Sequence, residues 1–370
     1  MPLNSSDRAS RKTTLCVLRD GDSPGAAPVE VETASAARLH FGFLDVSGSL
    51  GRKFGSVGLS VSGPRIRVRA RLADELSVRG RDADAVNSAL KYAAMFYGRP
   101  EIREVTDGRP KAAVFLDETI QPHCGYGSGT QLALCVASSL CGLYGLPCSP
   151  ARAALLTGRG RRSGIGIESF GRGGFIVDAG TGPGSANSPL TLFRADFPAG
   201  WRAILVLPPG VGEGLNGRGE DGAFMDLPPP DPASAREICH IVMMKLLPAV
   251  LEKNLMAFGE GLERIQEITG ETFASVQSGR FASPMADGIF KKMRELGAAG
   301  MGQSSWGPLL YGFAGGQDSA EAVASGLMKY YAGSEALSGG HLHTDVVSGR
   351  NVGAVIKKRT GKGEVLIREK

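Results

Sequence analysis

The chain has 370 residues, 42% hydrophobic and 21% charged, with a net charge of +5. That length suits two domains better than one core, and the composition is that of a soluble globular protein. The mild charge and arginine runs without interleaved aromatics (Arg65, Arg67, Arg69, Arg71; Arg159, Arg161, Arg162) argue against nucleic acid and for a small anionic ligand.

In chain order, residues 1–28 are small and polar and read as a poorly ordered extension. No apolar stretch approaches the roughly 18 residues of a membrane span, so the expected place is the cytoplasm, with no membrane partner. Residues 29–46 begin with strand-like alternation and run into a charged turn. "IRVRARL" (66–72) alternates apolar residues with arginine, as a half-exposed strand does. Val86, Leu90, Ala93, Ala94 and Tyr97 recur at helical spacing. A strand over 111–118 then enters a glycine-rich loop, and a helix follows with Leu132, Cys135, Val136, Ser139, Leu140 and Leu143 on one face. Its other positions are Ala, Ser and Cys, so it is expected to be buried nearly all round.

Ser149-Pro150 caps a short helix that stops at Gly158, and "GGFIVDAG" (173–180) is a strand ending in Asp178. After a Pro/Ser/Gly-rich break near 184–200 come a buried strand from 201, a long helical segment from Ala233 to about Ala257 kinked at Pro248, and helices near 259–269, 284–297 and 319–331. Two strands, "NVGAVIKK" and "EVLIRE", close the chain. The class is α+β, with a split near residue 198 into domains 29–198 and 199–370.

Three segments carry chemistry. "HCGYGSGTQLAL" (123–134) is a strand–loop–helix junction in which Gly125, Gly127 and Gly129 let amides converge at a helix N-terminus, while Ser128 and Thr130 offer hydroxyls to a phosphate or Mg²⁺. It matches neither common nucleotide signature, and a plain tight turn explains it about as well. "ARLHFGFLDVSGSLGRKFG" (37–55) gathers Arg38, His40, Asp45 and Arg52 among glycines. "GMGQSSWGP" (300–308) supplies Gln303, Ser304 and Ser305, able to close over what the first loop holds. Arg161 lies in a further basic loop. Asp178, after a buried strand, needs a cation, an arginine or substrate, since an unpaired buried carboxylate is costly. The pair His341 and His343 reads as structural. The six cysteines (16, 124, 135, 141, 148, 239) show no C-x-x-C pair or zinc spacing and read as core filler.

"ARLHFGFLD", "PHCGYGSGTQL" and "GMGQSSWGP", in this order, resemble the three motifs of the GHMP kinase superfamily. "SGTQL", "RSGIGIESFGRGGFIVDAG" and "GQSSWGP" resemble, more closely, the β-ribofuranosylaminobenzene 5′-phosphate synthase family, from about residue 30 to the C-terminus. The resemblance implies a ribosomal-protein-S5-like N-terminal domain, a ferredoxin-like C-terminal domain and a homodimer. It also implies condensation of phosphoribosyl pyrophosphate with 4-aminobenzoate, releasing CO₂ and pyrophosphate, towards methanopterin. On that reading Gly125, Tyr126, Gly127, Ser128, Gly129, Thr130 and Gln131 hold pyrophosphate, with Mg²⁺ on Ser128 and Asp45. Asp45 or Asp178 shields ribosyl charge, Arg38, Arg52 or Arg161 orients an anion, and His40 handles a proton. Neither ATP nor pyridoxal phosphate is expected. The rivals are an ATP-dependent GHMP small-molecule kinase and a non-catalytic ligand-binding protein.

Overall fold

The computed structural model describes residues 29–182, 188–209, 222, 224–227, 231–277, 279–332, 341–361 and 363–367. The proposed extension, residues 1–28, lies outside them.

Strands β1 (Glu30–Asp45) and β2 (Phe54–Leu72) form a long antiparallel pair, from Glu30 opposite Arg71 to Asp45 opposite Phe54. Alternation along β1 puts Val31, Thr33 and Ser35 inside and Glu30 and Glu32 outside. The arginines on the wet face of β2 meet carboxylates: Arg67 pairs with Glu118 at 2.8 Å and Arg69 with Glu30 at 3.0 Å. That run is an ion-pair surface of the sheet. β3 (Ser77–Arg79), β4 (Ala112–Glu118), β5 (Phe175–Asp178) and β6 (Thr191–Ala195) extend the sheet.

Helices α1 (Ala83–Tyr97), α2 (Pro100–Val105), α3 (Ser128–Leu143), α4 (Pro150–Leu156) and α5 (Ile165–Gly171) belong to the same half. Twelve of the sixteen residues of α3 are buried, so it is the central helix of this half, lying across β1 and β2. Ser139 Oγ donates to Thr33 Oγ1 at 2.8 Å, matching one of its few polar groups. The Ser149 hydroxyl caps α4, as the Ser-Pro signal predicts.

The second sheet comprises β7 (Trp201–Leu207), β8 (Ala299–Gln303), β9 (Leu310–Gly315) and β10 (His343–Ser348), in the spatial order β10-β7-β9-β8. That is the ferredoxin-like order implied by the resemblance. The expected long helix is broken twice. A π-helical turn, Val242–Leu246, precedes Pro248, and Lys253 is left-handed before a new helix, Leu255–Phe273. Strands β8 and β9 bracket the "GMGQSSWGP" segment, whose glycines hid the alternation that marks a strand. The second domain does not run to residue 370. β11 (Val355–Thr360) pairs with β1, and β12 (Gly363–Leu366) with β11, so the last described strands return to the first sheet.

Phe41 on β1 joins the two halves. Its ring lies 5.1 Å from Tyr311, 6.0 Å from Phe313, and 6.4 Å from both Phe258 and Phe175. Among the described residues no helix is long and apolar enough to cross a membrane. Because one aromatic core serves both sheets, Phe258→Ala is expected to cost about 3–5 kcal/mol. It should lower one shared unfolding transition in calorimetry without splitting it.

Candidate active site

The loop between β4 and α3 is built around an arginine. Arg38 on β1 donates its backbone N–H to Tyr126 O at 3.0 Å and Nη1 to Gly125 O at 2.7 Å. Gly127, the N-cap of α3, has φ +75°, and a Cβ there would stand 2.8 Å from the Arg38 guanidinium. Glycine is therefore required on both counts. Thr130 and Gln131 N–H donate to Gly127 O at 3.1 and 3.2 Å. The Ser128 and Gly129 amides have no acceptor among the described residues, and the first turn carries no acidic side chain. Bare amides and the positive end of a sixteen-residue helix suit an anion. Arg159 closes the other side. It stacks 5.1 Å over the Tyr92 ring, donates to the Tyr92 hydroxyl and lies against Gly129, with its buried Nε unpartnered among the described residues.

The third segment is bonded to this loop. The buried Ser304 Oγ accepts from His40 N–H at 3.1 Å and donates to Gly125 O at 2.7 Å. Ser305 N–H donates to His40 O at 3.1 Å, and Leu309 N–H to Cys124 O at 2.9 Å. Gly125, at φ +103°, comes so close that a Cβ would sit 2.7 Å from Ser304 O. Gln303 shapes the turn from within, accepting from Ala282 N–H at 2.7 Å and donating to Ser305 O at 3.1 Å. The three segments read as separate motifs thus form one hydrogen-bonded unit.

His40 is 4% exposed, with its ring edge-on to Phe43 at 4.8 Å. Burial, with a smaller effect from Arg38, lowers its pKa to about 3, so the imidazole is neutral. It lines a cleft that runs from Gly42 and Phe43 to Phe273 and Trp306.

Several expected residues are placed otherwise. Among the described residues Asp178 meets no cation: it is fully buried, and accepts from Ser56 Oγ at 2.6 Å, Gly164 N–H at 2.9 Å and Gly180 N–H at 2.8 Å. Burial nevertheless raises its pKa. It ties β2, β5 and the start of α5 together and is a positioning residue. Gln131 points into the core, accepting from Ser35 Oγ at 2.7 Å and donating to Gly166 O at 2.9 Å, because the fourth helical position faces the sheet. It is therefore no phosphate ligand. Asp45 Oδ1 accepts from Ser47 N–H and Oγ at 2.7 and 2.6 Å, closing a turn. It lies seven residues along β1 from Arg38, about 20 Å of extended chain.

Arg52 donates to Ala179 O at 3.0 Å and Gly180 O at 3.2 Å, beside Asp178. Arg161 is exposed, whereas Arg162 stacks 4.8 Å over Phe224. Tyr126 is buried, and burial raises its pKa. Arg159, Thr269, Phe273 and Arg280 carry no local sequence signal that singles them out. Arg159 could have been found only as one of three arginines after α4.

Two outcomes follow from this geometry. Ser304→Ala strands the His40 amide and the Gly125 carbonyl together, which should lower unfolding stability in urea by about 2 kcal/mol. His40 has its folded pKa below its unfolded one, so its stabilisation is present above pH 6.5 and lost as pH falls towards 3. Between pH 6.5 and 5 it should account for a loss of about 2 kcal/mol, absent from the pH–stability curve of His40→Gln.

Residues 246–333 match the GHMP kinases C terminal family. The chain is 32% identical over 301 residues to the β-ribofuranosylphenol 5′-phosphate synthase of Methanothermobacter thermautotrophicus, covering 76% of this chain and 88% of that protein. It is also 32% identical to the enzyme of that name from Archaeoglobus fulgidus, over 87% and 97% of the two chains. Homoserine kinase from Cytophaga hutchinsonii superposes with a TM-score of 0.61 at 17% identity, over 91% of this chain and 99% of that one. For mevalonate diphosphate decarboxylase from Enterococcus faecalis the values are 0.60, 13%, 92% and 100%. These solved structures share the GHMP fold with the chain. The sequence relatives go further, and with a third of positions identical over most of both lengths the chain belongs to the β-ribofuranosylphenol 5′-phosphate synthase family.

Proposed function

We propose that the chain condenses phosphoribosyl pyrophosphate with a para-substituted benzoate, releasing CO₂ and pyrophosphate, as a step towards methanopterin. The observation that carries this reading is the bare N-terminus of α3, flanked by the Arg38 and Arg159 guanidinia and hydrogen-bonded through Ser304 to the strand that bears His40. The Ser128 and Gly129 amides take the pyrophosphate. As it leaves, positive charge develops on the ribose, and fixed donors already aimed at the leaving group stabilise the separation of charge. The ring carbon bearing the carboxylate attacks the anomeric carbon. The C–C bond to the ribose forms, the bond to CO₂ breaks, and its electron pair restores aromaticity.

The name of the relatives carries a phenol, and the motif resemblance an aminobenzene. Both para groups donate electrons to the attacking carbon, and 4-aminobenzoate is the acceptor proposed here. Among the described residues no group of three or more His, Cys, Asp or Glu side chains could hold a metal ion. Mg²⁺ is proposed to arrive with the pyrophosphate as part of the substrate. A cytoplasmic homodimer without nucleic-acid or membrane partners completes the proposal.

The decisive assay follows CO₂ from carboxyl-labelled 4-aminobenzoate and 4-hydroxybenzoate in competition. Release should require phosphoribosyl pyrophosphate and should not consume ATP. ATP consumption with a small alcohol, and no CO₂, would move the chain to the kinases. Arg159→Ala should raise KM for phosphoribosyl pyrophosphate about tenfold, about 1.4 kcal/mol, with the acceptor KM unchanged. A chelator should abolish turnover yet leave Tm unmoved.

A further inference from the structure

Around the first turn of α3 the chain offers donors, and its acceptors are already taken. Gly125 O accepts from Arg38 Nη1 and Ser304 Oγ, Tyr126 O from Arg38 N–H, and Gly127 O from Thr130 and Gln131 N–H. On α1, Tyr92 is 7% exposed and lies under Arg159, whose guanidinium stacks on the phenol ring and donates Nη2 to its hydroxyl. A guanidinium only donates, so this bond uses a lone pair of Tyr92 Oη and leaves the phenol proton uncommitted. Among the described residues nothing accepts that proton, and no carboxylate pairs with Arg159. Glycine at 129 lets both side chains come close. A Cβ there would run into Arg159 Nη2 and stand 3.5 Å from Tyr92 Oη. Ser128 and Gly129 are half-buried, so a ligand can reach this turn from solvent. The free phenol proton, the guanidinium and the two bare amides thus face one place, and together they call for an oxyanion.

We propose that Tyr92 is a catalytic residue: its hydroxyl, held by Arg159, donates a hydrogen bond to the pyrophosphate as it leaves. The assignment rests on the synthase reading above. Such a bond strengthens as charge gathers on the departing oxygens, so it lowers the barrier more than it tightens substrate binding. The guanidinium on Oη draws electron density from the O–H bond and makes it a stronger donor. Pyrophosphate is a weak base that leaves without being protonated, and Tyr92 therefore keeps its proton throughout. The stack with Arg159 fixes the oxygen before substrate arrives, which spares the site a rearrangement at the moment of bond cleavage.

The test removes the hydroxyl and keeps the ring. Tyr92→Phe retains the stack under Arg159, and thermal unfolding checks that the variant is folded. Its kcat should fall about a hundredfold, with KM for phosphoribosyl pyrophosphate raised less than kcat falls and KM for 4-aminobenzoate unchanged. Equilibrium dialysis of labelled pyrophosphate with Mg²⁺ should show Kd raised about tenfold, whereas Kd for ribose 5-phosphate stays within about twofold. A second variant leaves Tyr92 in place. Arg159→Lys keeps the charge but loses the planar donor and its stack, and should lower kcat more than it raises KM for phosphoribosyl pyrophosphate. Full kcat in either folded variant, with pyrophosphate binding unchanged, would overturn the assignment and leave the synthase reading intact. Weaker pyrophosphate binding in Tyr92→Phe, without CO₂ release by the wild type, would uphold the contact with the anion and sink the synthase reading. A wild type that turns over yet binds pyrophosphate no more tightly than Tyr92→Phe would overturn the contact.

Discussion

One hydroxyl holds the site together. Ser304 Oγ accepts from the His40 amide and donates to the Gly125 carbonyl, and is itself fully buried. A serine is the smallest side chain that can both accept and donate, and each partner is a backbone group that burial would otherwise leave unsatisfied. The bridge fixes β8 and its following turn against β1 and against the loop that opens α3. The bare amides of Ser128 and Gly129 lie on one side of that junction, His40 and the aromatic cleft on the other.

The surrounding structure keeps this junction from moving. Phe41 precedes the bulge at Gly42 and packs on rings from both sheets, so β1 cannot slide without breaking the shared core. The return of β11 to β1 adds a second restraint from the far end of the chain. Asp178 acts in the same way for the opposite wall, gathering Ser56, Gly164 and Gly180 around one carboxylate. Burial raises its pKa while these donors oppose the rise. A carboxylate so enclosed holds three segments of the first half in place.

Much of the fold is legible in residue order. Alternation in β1, the small-residue face of α3, the Ser-Pro cap of α4 and the strand before Asp178 all appear where periodicity places them. β8 and β9 do not, because Gly300 and Gly302 interrupt the alternation and the strand reads as loop. The candidate site is legible as three motifs, which the structure bonds into one unit through Ser304. Side-chain direction is another matter. Gln131 sits in the densest motif, yet its amide turns inward to Ser35 and Gly166, since one residue of helix rotates a side chain by about 100°.

What the sequence determined by itself is local. Glycine at 125 and 127 allows the left-handed turn, the missing acid in the first turn of α3 leaves its N-terminus positive, and the apolar spacing commits each segment to helix or strand. Tertiary structure alone decided the partners. It set Arg159 rather than Arg161 against the loop, closed Asp45 into its own turn, saturated Asp178 with hydroxyls and amides, and brought Thr269 and Arg280 to the cleft that His40 lines. These are contacts between residues far apart in the chain. Spacing within a segment carries no information about which distant side chain arrives beside it.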